Sequence, residues 1–368
     1  MSKDESPQSV PPKQLVPKPK IFGTLITEVI KKNLCIGCGA CIASCPVSIL
    51  YMKGEIPSMI GKCIICEYCY YQCPVPEFLA ADIEKEIFGR VRSPTDEIGI
   101  CLNSYSARAK HEEILKMASD GGVVTSLLAY ALQKGIIDSA VISGVSEVEP
   151  WKPTPKVALT YTDLIESQGT RYTTSPTLVG LWSAVEEYDK KKIGVVGVPC
   201  AIKAIRKMQT ATYGVAKLGG RVAFTIGLFC MDSFYYKGLI EDYLRQQKGI
   251  DLNKITKFTI RRGKFIVSVA GEEALNVPLA EVKSYSRDNC HSCADFTAEF
   301  ADISVGAVGS LDGWSTVIVR TEVGKKLLED AINAGYLECK SLEKPGAVIK
   351  LTQIKCQTAT PVTIKAPE

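Results

Sequence analysis

Between residues 35 and 73 the chain states one pattern twice, and that repeat limits its fold more than any other feature. Cys35, Cys38, Cys41 and Cys45 recur as Cys63, Cys66, Cys69 and Cys73, each shifted by 28 residues, and a proline follows each fourth cysteine. Three thiolates separated by two residues can wrap one face of an iron–sulfur cubane on a tight loop, while the fourth points away to a second cluster. The spacing therefore predicts one 4Fe–4S cluster on Cys35, Cys38, Cys41 and Cys73, and another on Cys63, Cys66, Cys69 and Cys45. The competing reading is two all-cysteine zinc sites, but zinc usually takes two separated C-x2-C pairs rather than four close cysteines followed by proline. The segments between the cysteines are short, so ligand bonds rather than core size would hold this part together.

A chain of 368 residues is longer than one ordinary domain. Residues 1–20 hold five prolines and no apolar run, and read as a disordered tail rather than a signal peptide. Residues 21–95 form the two-cluster ferredoxin-type domain, with residues 82–95 as connector, and residues 96–368 form a larger unit. No stretch approaches the roughly 18 apolar residues of a membrane span, the longest run (222–231) suiting a buried strand, so no direct span is expected. The reading is cytoplasmic, where dense cysteine means metal or redox chemistry rather than disulfides. A net charge of +4 without interleaved aromatics gives no nucleic-acid signature. Two histidines, His111 and His291, leave little for histidine-based hydrolysis.

Beyond residue 96, helices and apolar strands alternate. A helix over 122–134, capped by Ser119 or Asp120, precedes a strand at 136–145; a strand at 193–198 precedes a basic helix at 201–208; a strand at 222–229 precedes a helix that Ser233 can cap, running to residue 247. A hairpin is predicted over 256–269, strands at 302–308 and 315–320, and a helix over 323–334. The fold class is thus mixed α/β: a small two-cluster ferredoxin-like module followed by a larger α/β domain with a mixed sheet.

Cys200 follows a strand in Gly-Val-Pro-Cys, Cys230 ends the next in Gly-Leu-Phe-Cys, and Cys290 and Cys293 form an isolated C-x2-C. Strand ends of an α/β sheet converge on one edge, so these four could hold a third 4Fe–4S cluster. An all-cysteine zinc site, or buried cysteines beside a reactive pair, are the plainer alternatives. Cys101, Cys339 and Cys356 have no partner pattern and read as structural. Clusters move electrons singly, so a two-electron donor needs an adapter, and flavin is the usual one. Residues for it are Gly121, Gly122 and Thr125 at a helix start, where free N–H groups favour phosphate, and Arg171, Thr173 and Ser175 in the loop 169–176. A well-capped helix and an ordinary polar loop would read the same way.

Taken in order, SDGGVVTSLLAYALQKGIID, GTRYTTSP, GVPC, GLFC, CHSCADFTAEFADISVGAVG and GWSTVIVRT resemble the family of coenzyme F420 hydrogenase and dehydrogenase β subunits over residues 96–340. The resemblance implies FAD, a 4Fe–4S cluster on Cys200, Cys230, Cys290 and Cys293, and hydride exchange with coenzyme F420. With the ferredoxin module in front, the arrangement resembles the input subunit of archaeal F420-oxidising dehydrogenases. It implies three clusters, oxidation of the reduced coenzyme by hydride transfer to FAD, and single electrons passed to other subunits of a redox complex that can be membrane-bound. By the same resemblance Arg171 contacts flavin, Gly121 and Gly122 its phosphates, and Lys283 or Arg287 the anionic coenzyme. The rival readings are an F420-reducing β subunit of a hydrogenase or formate dehydrogenase, and a non-enzymatic electron-transfer adaptor.

Overall fold

The computed structural model describes residues 18–211 and 215–360; the predicted tail falls almost wholly outside that range. Residues 18–88 coil around the cysteine loops with little regular structure: short helical turns at Phe22–Leu25, Ala40–Ala43 and Tyr68–Gln72, and an antiparallel hairpin of β1 (Leu50–Lys53) and β2 (Ile56–Met59). Its own apolar centre is small, Phe22, Leu25, Val29 and Leu50 packed around Cys41 and Cys69. A helix at Ala80–Phe88 ends at Gly89 in the left-handed region and leads into the connector.

The rest is built on β3 (Asn103–Ala109), β4 (Ser139–Val145), β5 (Pro153–Ala158), β6 (Ile193–Gly197), β7 (Val222–Leu228), β8 (Ile255–Arg261), β9 (Lys264–Val269), β10 (Glu272–Pro278), β11 (Ile303–Gly306), β12 (Ser315–Val319) and β13 (Leu337–Ser341). Eight of them make one sheet in the order β13-β3-β12-β11-β7-β6-β4-β5. The inner strands β4, β6, β7 and β11 run parallel, and antiparallel strands close both sides, so the sheet is mixed. Parallel strands joined by crossover helices must be covered on both faces. One face carries helices Thr177–Glu186 and Pro199–Gln209, burying Leu178, Leu181, Ile202 and Ile205; the other carries Val123–Gln133 and Glu322–Asn333, burying Leu127, Leu128, Leu327 and Leu328. Each such leucine or isoleucine contributes roughly 1.5–3 kcal/mol of transfer free energy. The first of these cores also takes in Cys38, Ala40, Ala43 and Ile83, so the cysteine module shares the core of the α/β domain.

Strands β8, β9 and β10 form a separate antiparallel sheet against the helix Lys237–Gln247. That helix is of the wide, π type and starts four residues after Ser233, whose hydroxyl is engaged elsewhere; the expected Ser233 cap is not made. Nor do Ser119 or Asp120 cap the helix at 123: Gly122, left-handed with φ +70°, is its cap residue. Ser119 instead pairs its hydroxyl with that of Thr170.

Candidate functional site

Twelve cysteine thiols gather into three neighbouring groups. In the first, burial raises the thiol pKa of Cys38 and Cys41 well above the ordinary value, and the neighbouring Cys73 and Cys35 raise both further. Burial likewise lifts Cys73 to about 12. In the second, Cys69 is pushed up to about 12, first by burial and then by Cys66, Cys63 and Cys45; these four also line one small void of about 20 Å³. Cys73 thus sits with the first cysteine run and Cys45 with the second. Lys207, from the helix Pro199–Gln209, clamps the first group from behind, its ammonium donating to the carbonyls of Cys73 (2.9 Å) and Glu77 (2.7 Å).

The third group forms at the carboxyl edge of the parallel strands. Cys200 lies not on the end of β6 but in the first turn of the following helix, which opens with Pro199, so the helix N-terminus favours its thiolate. Cys230 lies two residues beyond β7. Cys290 and Cys293 belong to a single 3-10 turn, Asp288–Ser292, and the residue after it. Burial raises Cys200 far above a normal thiol, and Cys293 and Cys290 add to it; Cys230 is raised likewise by burial, with Cys290, Cys200 and Cys293 as neighbours. Cys38 also acts on Cys200, so the third group adjoins the first. Among the described residues no group of three or more Cys, His, Asp or Glu side chains is placed to hold a single metal ion.

The loop 169–176 leans against this third group. Thr174 pairs its hydroxyl with that of Ser233 at 3.1 Å, the Ser233 amide donates to Cys290 Sγ at 3.3 Å, and the Phe234 amide donates to the carbonyl of Tyr172. Around it is a concentration of buried polar atoms with no hydrogen-bond partner: Arg171 Nε, Thr173 Oγ1, Ser175 Oγ, Gln168 Oε1 and Ser286 Oγ. Buried polar atoms are ordinarily paired, so such a cluster marks where a polar ligand would complete the network. Arg171 donates through Nη1 to the carbonyls of Ser167 (2.6 Å), Gly169 (3.1 Å) and Ser143 (3.3 Å), and faces no carboxylate; burial alone lowers its guanidinium to about 10. A half-buried cation that, among the described residues, meets only neutral carbonyls suits an anionic or electron-rich partner. These hydroxyls and the one guanidinium could meet the polar edge of a cofactor.

Other expected site residues lie differently. A Cβ on Gly121 would meet the carbonyl oxygen of Ala107 at 2.5 Å and the amide nitrogen of Ser315 at 2.6 Å; its own amide already donates to Ser315 Oγ. A Cβ on Gly122 would meet Ile114 at 2.8 Å. The two glycines let the helix start against β3 and β12, a close approach that any larger residue would obstruct. Thr125 lies half-buried in the first turn of that helix. Arg287 is no coenzyme anchor: it is 1% exposed, donating to Glu55 Oε1 (3.1 Å), the carbonyl of Cys35 (2.9 Å) and Asn289 Oδ1 (3.3 Å), with its guanidinium over the Tyr235 ring. It ties the C-x2-C turn to the first cysteine loop. Lys283 is exposed. Sequence reasoning missed Ser233, Gln168, Ser286 and Lys355. Lys355 reaches the third group from a late helix, where its ammonium, which burial alone would weaken as a base, is raised above the usual range by the thiols of Cys230, Cys293 and Cys290.

Two family models cover the larger part of the chain: coenzyme F420 hydrogenase/dehydrogenase β subunit, N-terminal part, at residues 104–181, and its C-terminal part at 190–345. A 4Fe–4S dicluster domain model matches residues 27–74. The chain is 41% identical to the β subunit of the coenzyme F420 hydrogenase of Methanosarcina barkeri, over 68% of this chain and 86% of that one. It is 32% identical to one subunit of the F(420)H(2) dehydrogenase of Methanosarcina mazei, over 90% of this chain and 91% of that one. A chain of the F420-reducing NiFe hydrogenase complex from Methanosarcina barkeri superposes with a TM-score of 0.69 at 38% identity, covering 73% of this chain and 92% of that one. The chain belongs to the coenzyme F420 hydrogenase/dehydrogenase β-subunit family.

Proposed function

We propose that this protein is an F420-linked flavin and iron–sulfur oxidoreductase that oxidises the reduced coenzyme and delivers single electrons to partner subunits. The observation that carries it is the buried set of unpartnered polar atoms on Arg171, Thr173, Ser175 and Ser286, joined through Thr174 and Ser233 to Cys290. Bound there, FAD supplies the change from hydride to one-electron chemistry. Arg171 offers its free Nε–H and its charge, and Thr173 and Ser175 offer hydroxyls. Cys200, Cys230, Cys290 and Cys293 hold a 4Fe–4S cluster beside that loop; Cys35, Cys38, Cys41 and Cys73 hold the next; Cys63, Cys66, Cys69 and Cys45 hold the last. Lys283 lies on the exposed side for the anionic coenzyme. The likeness to a chain of an F(420)H(2) dehydrogenase over nine-tenths of the sequence supports the oxidising direction and a set of partner subunits.

The test is anaerobic. Pure protein is mixed with reduced coenzyme F420, with NADH and with NADPH, each with a viologen acceptor, and iron and flavin are measured in the same sample. Dye reduction with the coenzyme, bound flavin and about 12 iron atoms per chain, four for each cubane, are expected. Activity with nicotinamides alone, or protein that takes up no flavin, would overturn the reading. Arg171→Met should lower flavin retention about tenfold or more, the loss of one charge-assisted hydrogen bond of roughly 1.5–3 kcal/mol, while leaving the iron content unchanged.

A further inference from the structure

The last described helix, Pro345–Thr358, follows the matched family region and returns the chain to the carboxyl edge of the sheet. It carries Lys355, which is 3% exposed. The Lys355 ammonium donates to the backbone carbonyls of Cys230, at 2.7 Å, and Met231. The ionisable groups that face it are Cys230, Cys290 and Cys293, with Asp232 the one carboxylate among them. Burying an ammonium is costly unless opposite charge is near. Here the Asp232 carboxylate supplies one such charge, and the ligand set, with whatever negative charge the group it holds acquires, supplies the rest.

Resting on the three-cluster reading above, we propose that Lys355 is a positioning residue that raises the reduction potential of the cluster held by Cys200, Cys230, Cys290 and Cys293. Reduction adds one electron to that cluster and breaks no bond, so the step increases negative charge beside a fixed buried cation. Net charge, hydrogen bonding around the sulfurs and solvent exposure set cluster potentials, and Lys355, whose hydrogen bonds go to the carbonyls of Cys230 and Met231, contributes to the first. The attraction in this dry site favours the reduced form, and so makes this cluster the better acceptor for electrons arriving from the flavin side. Lys207 holds a comparable place behind Cys73 in the first ferredoxin-type group, so the test compares each midpoint with its own parent value.

Full-length protein with its clusters is titrated anaerobically with dithionite while each cluster is followed by electron paramagnetic resonance. In Lys355→Gln, which keeps a donor for the Cys230 carbonyl but no charge, and in Lys355→Met, one midpoint should fall by about 59 mV or more, a tenfold change for one electron. The other two midpoints should stay where they are, and Lys355→Arg should restore the first. The proposal is overturned if the neutral variants titrate like the parent, if Arg falls as far as Met, or if all three midpoints move together. Loss of one cluster signal from both neutral variants would also overturn it, in favour of a purely structural lysine. Parent protein with only about 8 iron atoms, two cubanes' worth, would instead fail the three-cluster reading itself.

Discussion

Asp302 shows how single residues in this protein are decided by their partners. It lies buried at the start of β11, where its carboxylate accepts from the Thr225 amide (2.7 Å), Thr225 Oγ1 and Thr321 Oγ1, and pairs with Arg206 at 3.1 Å. Burial alone would raise its pKa, but Arg206 and these donors hold it below the usual carboxylate value. A depressed carboxylate stabilises the fold above its unfolded pKa of about 3.9, and that contribution disappears as pH falls through the folded value. Asp302→Asn should therefore cost about 3–5 kcal/mol near neutrality, because it leaves Arg206 buried without its charge. The gap in thermal stability between variant and parent should close below about pH 4. A gap that stays constant down to about pH 3 would refute the assignment. Nothing in the sequence singles out Asp302, since its partners lie 19, 77 and 96 residues away.

At the scale of elements, β7 and the segment 295–301 are pressed together. A Cβ on Gly227 would come within 2.3 Å of the Ala298 methyl and 2.8 Å of that of Ala301, and Ala298 itself has φ +55°. This close approach seats the segment just after Cys293 over the end of the strand that leads to Cys230. Gly227→Ala should displace it and cost about 1–3 kcal/mol through overpacking. The measurable outcome is loss of about a third of the iron, one cubane of three, with the ferredoxin-type signals intact. Unchanged iron content would show that the segment yields without disturbing the cysteines. Element types in this region were readable beforehand, because apolar runs of about four to seven residues followed by helical periodicity have no other good solution. The starts of two helices were misread. Ser119, Asp120 and Ser233 look like caps in sequence, yet Ser119 and Ser233 are drawn away by Thr170 and Tyr172, and a left-handed glycine serves in place of the first.

Across the whole molecule, the seam between the cysteine module and the sheet domain is polar at its centre and apolar around it. Arg287 bridges Glu55 and the Cys35 carbonyl, Leu178 donates its amide to the Cys38 carbonyl, and Ala40 and Ala43 enter the domain core. Arg287→Met would leave Glu55 with the Tyr236 amide and remove the bond to the Cys35 carbonyl, at a cost of about 1.5–3 kcal/mol. It should also slow reduction of the ferredoxin-type clusters after mixing with reduced coenzyme, followed by freeze-quenched resonance spectra, while flavin bleaching keeps its rate. Equal slowing of both would place Arg287 at the coenzyme after all. The dicluster match at residues 27–74 and the two β-subunit matches describe the parts; the seam decides whether they work as one conductor.

Local spacing was enough to read two four-cysteine loops, the order of helices and strands, and a mixed α/β domain, because each follows from contacts within a few residues. The resemblance of scattered motifs added the family. Only the tertiary structure decided how closely Gly121 and Gly122 are packed, that Arg287 belongs to a seam, and that Lys355 stands behind Cys230. The pairs that fix Gly121, Arg287 and Lys355 lie more than a hundred residues apart, and the burial that gives them their force exists only once the sheet has formed.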